Sequence, residues 1–426
     1  MVTANLPVLA ISILLALQTC AIPSIPKYAH GSRCSSFPSL SESSTSILPT
    51  GTGAFISSAI AEFQLQRLAE IARDSVISDV THAPLRHEGC TQQTMRMRRD
   101  WRAFTRNEKK AYINSVLCLQ DLPSQTPNEL APGTMSRYDD FVATHINQTL
   151  IIHYTGTFLA WHRHFVWSFE QALRNECGYN GDIPYWNWGA DVDDMEKSEV
   201  FDGSDTSMSG NGVSIPDQPD VKLTLHGHPD IYLPAGSGGG CVTTGPFKDY
   251  ILSMGPADLV EPGRDVSASP HPLDYNPRCL RRDLTSAILK KSNKFSDIVA
   301  LITQSNDVWD FEMTMQGFPD SGLIGVHGGG HFAMGGDPGR DVFVSPSDPA
   351  FWHHHSMIDY VWWIWQNLDW EGRGDAISGT GTFLNDPPSA NTTLDTVIDV
   401  GFAGEDPIAM RDIMSTTAGP YCYIYV

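Results

Sequence analysis

Apolar side chains return at helical spacing over several stretches of this 426-residue chain, and those stretches predict its elements. Over residues 56–77 the recurrence of Phe63, Leu65, Leu68 and Ile71 predicts one helix. Residues 90–119 hold another, with Asn107 as N-cap ahead of Glu108 and with Tyr112, Ile113 and Val116 as its apolar stripe. Residues 158–173 and 356–368 are dense in aromatics and leucine and predict two further helices. Between 190 and 280, frequent Gly, Pro, Asp and Ser predict long loops. No internal repeat is present. The fold class expected is mainly α: a helical-bundle core with long irregular loops and a few short strands, as a single domain over 56–426.

The N-terminal pattern differs. Residues 6–17 are almost wholly apolar, too short to span a bilayer and of the size of a signal-peptide core, with Thr19 and Ala21 fitting cleavage after Ala21. Residues 22–55 are rich in Ser, Pro, Thr and Gly and read as a flexible leader or pro-segment. With Cys20 removed, Cys34, Cys90, Cys118, Cys177, Cys241, Cys279 and Cys422 remain. None forms a CxxC pair, so scattered disulfides in an oxidising compartment are expected, with one thiol left over and the connectivity open. Two acceptor triplets, Asn147-Gln148-Thr149 and Asn391-Thr392-Thr393, agree with a secreted glycoprotein.

Composition is that of a globular protein, with 41% hydrophobic and 18% charged residues. The formal charge of −21 repels phosphate backbones and anionic membranes, which argues against nucleic-acid and membrane partners and suits a neutral or weakly cationic small substrate.

Of fifteen histidines, six fall into two groups. His145 and His153 lie on either side of a short connection, and His162 opens an aromatic helix. His327 and His331 are four apart, so a helix would project both from one face. The intervening Gly328-Gly329-Gly330 disfavours a helix by about 1 kcal/mol per residue, so surroundings or metal must hold it; three bare residues also leave open space for a flat substrate. A third ligand comes from His354 or His355. Three imidazoles per ion, without nearby carboxylate or thiolate, suit copper, and two such trios are one more than a zinc site needs. Asp359, one turn on, is placed to orient an imidazole or to pair with an arginine. His30, His82, His226, His228 and His271 read as surface or satisfied core residues, as does His87; His164 and His353 read as packing neighbours.

These residues resemble the type-3 copper proteins: tyrosinases, catechol oxidases and, more distantly, haemocyanins. His145, then His153-x8-His162 with Phe158 and Trp161-His162-Arg163, is similar to the first copper motif. His327-x3-His331, then Asp348-Pro349-x-Phe351-x3-His355-x3-Asp359, is similar to the second, and its spacing selects His355 over His354. Asp139-Asp140-Phe141, residues 184–188 and 360–366, and the closing Tyr421-Cys422-Tyr423-Ile424-Tyr425 are similar to the short secreted catechol oxidases of filamentous fungi. The resemblance implies a bundle holding two copper ions, one on His145, His153 and His162 and the other on His327, His331 and His355. Arg163, Asp359 and His354 would support them, with Gly328 and Phe332 bordering the substrate. It implies oxidation of o-diphenols by dioxygen to o-quinones, with no C-terminal domain covering the site. Two departures bear on this. No cysteine lies between His145 and His162 to form the thioether of many relatives. Gly328 stands where strong monophenol hydroxylases often have Asn. Rivals are an o-aminophenol or hydroxyindole oxidase, a tyrosinase with monophenolase activity, an oxygen carrier, and a mononuclear zinc hydrolase using His327 and His331.

Overall fold

A computed structural model of the chain describes residues 53–82, 89–225, 227–257 and 268–426. The expected signal peptide and residues 22–52 of the leader lie outside them, as do Cys20, Cys34, His30, His87 and His226. In chain order the core helices are α1 (Gly53–His82), α2 (Arg106–Asp121), α3 (Arg137–Ile152), α4 (Phe158–Cys177), α5 (Ser286–Ser292), α6 (Phe295–Gln304), α7 (Val308–Gln316), α8 (Gly325–Met334), α9 (Gly336–Arg340) and α10 (Phe351–Asn367).

Local chemistry explains where several of them start. Helix α2 begins two residues earlier than expected: Thr105, not Asn107, is its N-cap, because Thr105 and Glu108 satisfy each other's backbone N–H groups in a capping box. Asn107 sits inside the first turn. Helix α3 opens the same way on Ser136 and Asp139. Helix α4 stops at Gly178, whose left-handed φ of 67° ends it.

Helix α10 starts at Phe351, five residues before the expected 356. Each of its residues is buried, the mark of a central helix, and its three histidines masked the apolar pattern. Helices α1, α4, α6 and α8 pack around it. Phe169 of α4 stacks on Trp352 with ring centroids 3.7 Å apart.

Residues 90–105, ahead of the expected N-cap, carry the strand Arg96–Arg98, which pairs in parallel with Tyr423–Tyr425. The disulfide Cys90–Cys422 ties the same two segments together, Cys118–Cys177 joins α2 to α4, and Cys241–Cys279 closes a loop. Six of the seven cysteines are thereby paired. The 190–280 region is not all loop: its strands form short two-stranded ladders, among them Val221–Leu223 against Ile231–Leu233. The alternation Val221-Lys222-Leu223-Thr224-Leu225 is the strand signal that the surrounding Gly and Pro obscured.

A buried charge network locks α10, α4 and the C-terminus together. Asp359 accepts from Arg163 Nε at 2.6 Å, Arg98 Nη1 at 3.1 Å, the Tyr423 hydroxyl at 2.7 Å and the Tyr425 hydroxyl at 2.6 Å. Burial would raise its pKa, but Arg163 and Arg98 beside it hold the carboxyl below its usual range. Arg98 also donates to Glu170 at 2.6 Å, extending the network along α4.

Candidate metal centre

The first trio comes from two adjacent helices. His145 lies within α3 and His153 caps its C-terminus, so the connection follows His153 rather than separating the pair. His162 stands in the second turn of α4, which begins at Phe158 as the periodicity predicts, so His162 follows the helix start rather than opening it. Each Nδ1 meets a backbone carbonyl: His145 that of Phe343 at 2.9 Å, His153 that of Thr149 at 3.0 Å, and His162 that of Phe158 at 2.8 Å. A carbonyl only accepts, so each Nδ1 carries the proton and each Nε2 keeps its lone pair. Nε2 of His145 and of His162 is buried without a protein partner, and one nitrogen from each ring falls within 4.8 Å of the others.

The second group is His327, His331, His354 and His355. Nε2 of His331 and Nε2 of His355 approach to 3.0 Å, and Nε2 of His327 has no protein partner. His354 differs from its neighbours. The Trp188 indole donates to its Nδ1 at 3.1 Å, which puts the proton of neutral His354 on Nε2, the reverse of the tautomer in the first trio. Geometry therefore favours His355, as the motif spacing does.

The three glycines of α8 have separate reasons. A Cβ at Gly330 would stand 2.3 Å from the His354 ring, and one at Gly329 would stand 1.9 Å from Asn293 Oδ1. At Gly328 the nearest atoms are 3.2 Å away. Only Gly328 faces the pocket, so the open space expected over all three residues is confined to one. Asn293 also donates to the Val326 carbonyl at 2.8 Å, so α8 is held from its surroundings.

The trios adjoin. The rings of His162 and His355 stack with centroids 4.5 Å apart, and His153 lies 5.9 Å from His327. Burial, reinforced by neighbouring imidazoles, drives His145, His162, His327, His331 and His355 well below the usual histidine range; burial alone takes His153 to about 4. The rings stay neutral, the state a metal requires. Clustered neutral imidazoles with unpaired inward nitrogens fit two borderline-soft cations such as copper.

A cavity of about 430 Å³ opens onto His153, His327 and His331. Gly328 and Phe332 line it, with Leu323, Ile324 and Phe383. Arg163 and Asp359 lie behind the trios: Asp359 takes the arginine-pairing role, and Arg163 also donates to Gln366 at 2.9 Å and to the Met414 carbonyl. His164 bonds the Tyr421 hydroxyl at 2.9 Å, and His353 packs edge-on to Trp101 and Tyr112. His82 and His271 are exposed. Asn147 and Asn391 are exposed as well, although the Thr149 hydroxyl of the first triplet is buried and donates to the His145 carbonyl. The residues whose roles sequence reasoning missed are Trp188, Asn293 and Phe343; each acts across the fold, where spacing carries no signal.

Comparison with known proteins agrees with this geometry. The family description "Common central domain of tyrosinase" matches residues 135–368, more than half of the chain. Tyrosinase P of Aspergillus terreus is 42% identical over 330 residues, 77% of this chain and 91% of that protein. N-acetyl-6-hydroxytryptophan oxidase of Emericella nidulans is 38% identical over 348 residues, 79% and 93% of the two chains. A glycine-to-asparagine variant of polyphenol oxidase from Thermothelomyces thermophila superposes with a TM-score of 0.80 at 40% identity, covering 85% of this chain and 98% of its own. Family, histidine trios and helical core converge: the chain belongs to the tyrosinase family of type-3 copper oxidoreductases, whose members bind two copper ions.

Proposed function

We propose that His145, His153 and His162 hold one copper ion, that His327, His331 and His355 hold the other, and that the chain is a secreted oxidase converting o-diphenols to o-quinones. The observation that carries this reading is the contact between the trios, with His162 and His355 stacked at 4.5 Å beneath an open cavity. Copper, when bound, supplies the path by which electrons pass from phenol to dioxygen. Each diphenol gives up two electrons and two protons, and dioxygen takes four of each to form two waters, so two diphenols are consumed per O2.

The chain's own groups orient and enclose. The carbonyls of Phe343, Thr149 and Phe158 fix three imidazole tautomers and aim three Nε2 atoms inward. Phe332 offers a ring face against which a phenol can align, and the bare Cα of Gly328 leaves it room. The described residues lining the cavity include no Asp or Glu.

Secretion is supported by three disulfides, the apolar run at 6–17 and the two acceptor triplets. No helix among the described residues is long and apolar enough to cross a membrane. A second reading, oxidation of a hydroxyindole or o-aminophenol, is favoured by the 38% identity to N-acetyl-6-hydroxytryptophan oxidase. The deciding experiment is oxygen uptake by copper-loaded protein with catechol, tyrosine, a 6-hydroxyindole and o-aminophenol. Rapid uptake with catechol and little with tyrosine is the expected result; uptake with none would refute the reading.

A further inference from the structure

The cavity has two unlike walls. One runs through Gln316, Gly317, Pro319, Leu323 and Ile324 and is firmly anchored: the Tyr154 hydroxyl donates to the Gln316 carbonyl at 3.0 Å and to the Gly317 carbonyl at 3.1 Å, and the Tyr154 N–H donates to Gln316 Oε1 at 2.8 Å. The other is the 221–233 hairpin, which contributes Lys222, Leu223, Thr224, Leu225, Pro229 and Ile231.

That hairpin is a ladder of two strands only. Its Val221, Leu223, Ile231 and Leu233 share one apolar face, with Leu223 opposite Ile231, while Lys222, Thr224 and Asp230 bond among themselves on the other. An isolated two-stranded hairpin is marginally stable in water. What carries its tip across to the anchored wall is His228, whose Nδ1 lies 2.7 Å from Asp320 Oδ1. Asp320 is 81% exposed, and exposed pairs of this kind hold weakly. The two cationic residues that line the cavity are already paired, Lys222 with Asp230 at 3.1 Å and Arg340 with Asp283 at 2.8 Å. Charge at the walls is balanced, and the discriminating surface is apolar.

We propose that the 221–233 hairpin is a specificity-determining strap: Leu223, Leu225, Pro229 and Ile231 select phenols bearing an apolar ring substituent, and the His228–Asp320 contact holds the strap across the cavity mouth. Residues Leu223 and Ile231 touch the substituent; His228 and Asp320 are positioning residues. The inference rests on the oxidase reading above and names the substrate class for it.

The test compares kcat/KM for 4-tert-butylcatechol and for catechol, with hydrogen exchange of the hairpin amides in copper-free protein as a readout independent of turnover. Leu223→Ala is expected to lower the ratio of the two values by about tenfold, the low end of what a missing apolar contact in a pocket is worth in discrimination. Asp320→Asn, on the surface and away from the core, is expected to lower the ratio by about two- to fivefold and to speed exchange over 221–233 by a similar factor. A ratio unchanged in both variants, or hairpin exchange unaffected by Asp320→Asn, overturns the strap. Oxidation of neither diphenol by the wild-type protein would instead refute the oxidase reading beneath it, while hydrogen exchange would still report on the latch.

Discussion

Replacing Gly330 by alanine separates two opposed effects that the structure allows to be sized. Alanine favours the helix by about 1 kcal/mol over glycine. Against this, its Cβ would stand 2.3 Å from Cε1 and from Nδ1 of His354, roughly 1 Å inside the ordinary contact distance. His354 is fully buried and pinned by Trp188, so the ring cannot swing aside without breaking that hydrogen bond. Overpacking of this degree costs about 1–3 kcal/mol, and a lost buried hydrogen bond about 1 kcal/mol more. The net effect is destabilisation by about 1–3 kcal/mol. Gly328→Ala is the internal control: its nearest neighbours, Ile324 Cβ and Phe332 Cε2, are 3.2 Å away and need to yield only a few tenths of an ångström. The propensity gain then leaves that variant neutral or stabilised by up to about 1 kcal/mol. Urea denaturation of both copper-free variants, followed by tryptophan fluorescence, measures the difference. A midpoint for Gly330→Ala equal to or above that of Gly328→Ala would refute the account of why α8 carries three glycines.

Stability of the copper-free protein should fall with acidity: His153 sits at about 4 in the fold against an ordinary 6.5, so the unfolded chain binds the extra proton between those values. That one ring withdraws about 3 kcal/mol by pH 4, and urea midpoints that stay level from pH 7 to 4.5 would contradict it. Asp359→Asn leaves the buried Arg163 without its carboxylate, while Arg98 keeps Glu170, and should destabilise the fold by about 3–5 kcal/mol, read as a large drop in melting temperature or a loss of soluble protein. His355→Ala should reduce bound copper from two ions per chain to about one, whereas His354→Gln should leave two, as measured by elemental analysis; the reverse pattern would reassign the third ligand. Gly328→Asn should raise the ratio of tyrosine to catechol oxidation, and an unchanged ratio would remove this position from the determinants of monophenol hydroxylation.

The family was legible in the sequence. Metal ligands must be particular residue types, so the proposed copper ligands of His153-x8-His162 and His327-x3-His331, the latter pair on one helix face, stood out before any fold was known. The long apolar helices were legible for the same reason, since periodicity is local. Much else was decided only by tertiary contact. Trp188 sits far from His354 in the chain, yet its indole donates to Nδ1 of that ring and sets its tautomer. Phe343 lends a carbonyl to His145 from nearly two hundred residues away. Gly329 and Gly330 look alike in sequence with Gly328, but Asn293 and His354 press on the first two, whereas the third meets Ile324 and Phe332 at 3.2 Å and lines the cavity. The 221–233 hairpin is hard to read as strand because its five-residue alternation is short and the Gly, Pro and Asp around it signal loop. Hydrogen bonds and steric exclusion act through space, and spacing along a chain records them only when both partners belong to one element.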